Sequence, residues 1–100
     1  MDKPDYDVLI ILMPKFSLGG LCATPNVLAC VPNDEIQTAL NRHSQGDWGA
    51  LDDEDKRAND RALAEGTRLL SAYNSQAGLR FWIITEWDRS LTTVLLPEDY

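Results

Sequence analysis

The sequence predicts an α+β fold, a three- or four-stranded antiparallel sheet with two to three helices packed on one face. Three observations predict it. Residues 68–96 form three apolar, partly β-branched runs with short polar breaks, the pattern of a meander of antiparallel neighbours. Residues 32–44 and 51–66 repeat their apolar side chains at helical spacing. The chain of 100 residues holds one domain with a single modest core.

Taken in order, 6–13 (YDVLIILM) reads as a strand, interrupted by Pro14. Residues 15–23 read as a second, weak or bent strand with Gly19 and Gly20 at a bulge or turn. Thr24 suits a helix cap and Pro25 the first helical position. That helix is short, since Pro32 disfavours helix in the residue before it. The next runs from about 32 to 44, with Ile36, Ala39, Leu40 and His43 on one face and Gly46 as its stop. A third helix spans about 51–66, with a thin apolar face of Leu51, Ala58, Ala62 and Leu63 and Gly66 as its cap.

Strands follow at 68–73, 79–87 and 91–96, joined by the loop NSQAG (74–78) and the turn DRS (88–90). In the middle strand Phe81 and Ile83 point one way, and Trp82 and Ile84 the other. Both faces are therefore apolar. One carries the helices, and the other meets the N-terminal segment, a second subunit or a target. Trp82 is expected in the core and Trp87 nearer the surface.

Hydrophobic residues make up 44% of the chain and charged ones 25%, ordinary values for a globular protein. A net charge of −7 with scattered Lys and Arg argues against direct nucleic-acid binding, which needs clustered cations. The acidic surface serves solubility and suits a partner with a basic surface. Cys22 and Cys30 lack metal-site spacing, and a single His completes no zinc set, so they are expected as buried small side chains in a reducing compartment. The apolar run at 8–13 is too short for a signal peptide core or a membrane span, which predicts a cytoplasmic protein with no membrane partner.

Four features invite a chemical reading. Asp52, Asp53, Glu54 and Asp55 resemble a cation site, but successive helical carboxylates diverge, and acidic residues in a first turn already complement the helix dipole. No metal is therefore expected. His43, with Asp47, Glu86 and Arg89, would make a small hydrolase or nuclease-like toxin, although no spacing selects a nucleophile. Asp88 and Ser90 are turn formers, and Arg89 is expected to pair with Glu86 or Asp88 across the turn. Trp87 at the hairpin mouth is either a lid on the core or an exposed anchor. In GDWG (46–49), Trp48 is expected to insert between helices and sheet. There is no GxxxxGK[ST] or GxGxxG, so no cofactor is expected.

HSQGDWG (43–49), DEDKRANDRAL (53–63), EGTRLLSAY (65–73) and FWIITEWDRSLTTVLLPEDY (81–100), with LCATPNVLACV (21–31), together resemble a widespread family of short bacterial proteins. Its members are borne on plasmids, phages and integrated elements. They share H-x-x-G-D-W-G, D-x-x-x-N-D, L-x-S-x-Y and a terminal W-I-I-T-E-x-D-R-S-x-T-T-x-L-L-P-E-x-Y. Some are labelled as a methylation subunit of a type I restriction system. The residues here do not support that activity, for the chain has no glycine-rich cofactor loop and is too short for a dinucleotide-type domain.

The resemblance covers about 16–100 and implies a mobile-element setting, in which small acidic proteins act as accessory or anti-defence factors. Residues 1–12 lie outside the pattern. They are expected to pair with an edge of their own sheet or with another copy, giving a homodimer. The resulting expectation is a non-enzymatic interaction protein, an anti-CRISPR or anti-restriction inhibitor. It would contact its target through Asp52–Asp55 and Glu86, Trp87, Asp88 and Arg89. The alternatives are the small toxin above and a structural dimerisation module.

Overall fold

The computed structural model describes residues 13–100. The strand expected at 6–13 lies outside the described residues, except for Met13. The described elements are β1 (Gly20–Ala23), α1 (Pro25–Cys30), α2 (Asn33–Ser44), α3 (Asp53–Glu65), β2 (Leu69–Asn74), β3 (Arg80–Thr85) and β4 (Leu91–Leu95), with a short 3-10 turn at Pro97–Asp99. The strands form one sheet in the order β1-β4-β3-β2.

The helix ends follow from local chemistry. At α1 the Val27 N–H donates to Thr24 Oγ1 (3.2 Å), with Pro25 in the first turn. At α3 the Asp55 N–H donates to Asp52 Oδ1 (2.8 Å), and Gly66, in the left-handed region at φ 75°, closes the C-terminus.

β2, β3 and β4 form the antiparallel meander, with Ser71 opposite Ile83 and Ile83 opposite Val94. The antiparallel expectation fails at β1, which joins β4 in parallel, with Gly20 beside Leu91 and Ala23 beside Val94. The cause is long-range: all three helices intervene between these two strands, and no local pattern records the direction of return.

Period-2 alternation sorts the sheet into two faces. Tyr73, Phe81, Ile83 and Val94 pack with Val27, Ile36, Ala39 and Leu40 of α1 and α2. A smaller cluster joins Trp48, Ala62 and Leu69, where α3 meets β2. The opposite face carries Trp82, which is half-buried and meets the Tyr100 ring edge-on at 6.0 Å.

The outer edge of β2 is closed. Ala50 N–H donates to the Ala72 carbonyl (2.7 Å), and Ala72 N–H donates to that of Trp48 (3.3 Å). Asn59 of α3 then treats Leu70 as a neighbouring strand would: its amide donates to the Leu70 carbonyl and its Oδ1 accepts the Leu70 N–H.

Both cysteines are exposed free thiols, not buried as expected. Cys22 lies on the edge strand beside Thr93, on the face away from the helices. Cys30 ends a helix of one and a half turns whose buried residue is Val27.

Candidate functional site

His43 is the residue that most invites a catalytic reading, and it is fully buried. α2 presents it to the sheet from the same face as Ile36, Ala39 and Leu40. Phe16 (centroids 5.4 Å apart) and Trp48 (5.6 Å) meet its ring edge-on. Its Nδ1 lies 2.6 Å from Ser71 Oγ and its Nε2 2.8 Å from Thr85 Oγ1. Thr85 Oγ1 is 2.7 Å from Thr92 Oγ1, and the Thr92 hydroxyl donates to the Leu18 carbonyl (2.7 Å).

That carbonyl sets the direction of the whole chain of bonds. A hydroxyl has one proton. Thr92 gives its proton to Leu18, so Thr85 donates to Thr92, and Thr85 must accept from His43. Nε2 therefore carries the imidazole proton, and Nδ1 accepts from the Ser71 hydroxyl. Burial, with a smaller push from the Arg89 charge, lowers the His43 pKa to about 3. At neutral pH the ring is uncharged, fully bonded and shut away from solvent. A general base needs access to a substrate proton, and this one has none.

Its expected partners are engaged elsewhere. Arg42 grips Asp47 with two bonds, Nε to Oδ2 (2.7 Å) and Nη2 to Oδ1 (3.2 Å). That hydrogen bonding, with the Gly49 N–H, holds the Asp47 carboxyl below its usual range. The Asp47 backbone carbonyl accepts the Tyr73 hydroxyl (2.7 Å).

Glu86 pairs with Arg68 (3.6 Å), and Asp88 accepts the Ser90 hydroxyl (2.6 Å) and N–H (3.1 Å). The Arg89 pairing expected across the turn is thus not made. Arg89 has φ 60° and sends its guanidinium back to backbone carbonyls of Thr67 (2.7 Å), Glu86 (3.1 Å) and Ala62 (3.3 Å). Ala62 lies in the last turn of α3, where its carbonyl also accepts the Gly66 N–H (2.9 Å) and the helix dipole favours a cation. No side chain among His43, Asp47, Glu86 and Arg89 hydrogen-bonds to another's.

The other expected contact residues divide into two places. Asp52, Asp53, Glu54 and Asp55 are exposed at the start of α3, while the 86–90 turn is tied to its end. A helix of 13 residues separates them by about 19 Å. Trp87 and Asp88 face solvent, Trp87 with 67% of its surface exposed, while Arg89 is half-buried under structural duty. Among the described residues no three His, Cys, Asp or Glu side chains converge as metal ligands.

Sequence reading missed the role of the Ser71, Thr85 and Thr92 hydroxyls as hydrogen-bond partners in the buried His43 network. The signal was available, since each alternates onto the helix-covered face with Tyr73, Ile83 or Val94, where a hydroxyl needs a buried partner. It also missed Arg42, whose pairing with Asp47 depends on how α2 ends. Comparison with protein-family models, with curated proteins and with solved structures finds no match for this chain.

Proposed function

We propose that the protein is a non-enzymatic interaction protein of a mobile genetic element, one that binds and blocks a host defence complex of the CRISPR or restriction kind. The observation that carries this reading is the contrast between His43 and Trp87. The groups suited to catalysis are consumed by the fold, whereas Trp87 stands 67% exposed on a turn braced by Arg89. An exposed aromatic on a rigid turn is the usual form of a binding anchor, because little conformational freedom remains to be lost on contact. The net charge of −7 and the exposed Asp52–Asp55 cluster favour a partner with a basic surface, recruited electrostatically. The mobile-element setting rests on the sequence resemblance described above.

Affinity capture from the host tests the reading with three proteins: the wild type, Trp87→Ala and the control Cys30→Ser. A host complex should be retained by the wild type and the control. Its recovery should fall at least ~10-fold on Trp87→Ala, the scale of an anchor residue. Equal recovery on all three would remove Trp87 from the interface, and with it the main support for this function.

A further inference from the structure

A groove of ≈ 300 Å³ runs between α3 and β2, lined by Leu51, Asp55, Ala58, Asn59 and Leu70. Three stretches of chain supply it. Asp55, Ala58 and Asn59 stand at i, i+3 and i+4, on one face of α3. Leu70 alternates onto the face of the sheet away from α1 and α2. Leu51 comes from the segment that leads into α3. Asp55 and Ala58 are exposed, and Leu51 and Leu70 are half-buried, so the apolar walls reach solvent.

The walls are held in place. The Asn59 amide donates to the Leu70 carbonyl, and its Oδ1 accepts the Leu70 N–H (3.2 Å). The Ala50 N–H bonds to the Ala72 carbonyl (2.7 Å), which fixes Leu51 beside β2. Little order therefore remains to be created when a ligand arrives. The same bonds turn both ends of the Asn59 amide to Leu70. Within this lining, Asp55 is then the polar side chain left to orient a ligand. A small molecule is placed by several convergent polar groups, whereas this groove offers one carboxylate beside alkyl walls.

The charge around the groove is mostly negative. Asp52, Asp53 and Glu54, all exposed, share the start of α3 with Asp55. Arg80, which reaches the Ala50 carbonyl at 3.5 Å, offsets one of these four charges, and the Lys56 charge acts on Asp47. A second copy of the chain, with a net charge of −7, would bring like charge to this place. We propose that the groove docks a basic amphipathic peptide segment of the partner. One aliphatic side chain lies against Leu51, Ala58 and Leu70, and flanking Lys or Arg residues meet the Asp52–Asp55 carboxylates. Such cations rest their alkyl stems on apolar surface and keep their charged heads in water beside the carboxylates. The aliphatic anchor adds the selectivity that charge alone lacks. The proposal rests on the interaction reading above and names the partner's chemistry at a place other than Trp87.

An amide chemical-shift titration of the full-length chain tests it. The probe is a short amidated peptide of lysines around one central leucine, and its control carries serine in place of the leucine. The Leu51, Ala58 and Leu70 amides should shift with the leucine peptide, which should bind at least ~10-fold tighter than the control. Ala58→Arg, which fills the groove and reverses its charge, should weaken that binding at least ~10-fold. The Ile83 amide, in the centre of the sheet, reports that the variant is folded, and Ala58→Gln takes its place if it is not. Equal affinity for the two peptides overturns the proposal, as does binding that survives the substitution at Ala58. Shifts centred on Trp87 instead of Leu70 also overturn it, as do shifts at Leu51 and Leu70 that follow protein concentration without peptide, which would give the groove to a second copy. The titration reports on the groove and affinity capture on Trp87, so the two readings can fail separately.

Discussion

His43 begins a one-way series of hydrogen bonds that ends on the Leu18 carbonyl, and a second proton on its ring would have to be housed without water. The linkage has a definite sign. The folded pKa of about 3 lies below the ordinary 6.5, so between these values the unfolded chain binds more protons. Stability is complete above about pH 6.5 and falls as the pH drops toward 3. At pH 5 the loss is about 2 kcal/mol relative to pH 7.5. With a single histidine in the chain, urea unfolding at the two pH values isolates this effect, and a flat response would mean that His43 is solvated.

The three tryptophans also separate at this scale. Trp48, 3% exposed and bonded through Nε1–H to Asp60 (2.9 Å), should cost ~3–5 kcal/mol when cut to Ala. Trp87→Ala should stay within ~0.5 kcal/mol of the wild type, as an exposed site does. Trp82, half-buried against Tyr100, should fall between them. Denaturant titration of the three variants gives the order, and an unfolding Trp87→Ala would contradict it. Mid-strand position alone made Trp82 look like core; its exposure depends on what covers the second face, which the sequence does not encode locally.

Elements were legible where the pattern is local. The boundaries of α2, α3 and the β2–β4 meander follow from caps, periodicity and turn residues. The direction of β1 was not legible, because it is fixed by where three helices deliver the chain back to the sheet. The segment between α2 and α3 was legible only in part. Gly49 brings this segment against β2 at φ 74°, and a Cβ there would collide with the Ala72 carbonyl and lie 2.8 Å from the Tyr73 ring. Gly78 has a comparable φ of 86° but open space around it. Gly78→Ala should therefore cost only about 1 kcal/mol, from the backbone conformation alone. Gly49→Ala should cost more than ~3 kcal/mol, because the bridge that closes β2 must move. Thermal unfolding of the pair checks this, and equal melting temperatures would mean that the bridge is dispensable.

For the molecule as a whole, the polar residues that looked chemically promising build the fold, and the proposed interaction rests on the exposed Asp52–Asp55 and Trp87. The sequence showed each of those residues but not their assignments, because Arg89, Glu86 and Asp47 each had several charge-compatible partners in the linear chain. Spatial proximity chose Ala62 and Thr67 carbonyls for Arg89, Arg68 for Glu86 and Arg42 for Asp47. The acidic start of α3 and the hairpin turn, read together as one contact surface, stand at opposite ends of a helix. A partner that touches both must span α3. The most direct measurement is hydroxyl-radical footprinting of the free protein and of the complex recovered by affinity capture. Trp87 should oxidise readily in the free protein and be shielded in the complex, while Trp48 oxidises slowly in both. Equal oxidation of Trp87 in the two samples would contradict a binding function centred on this turn.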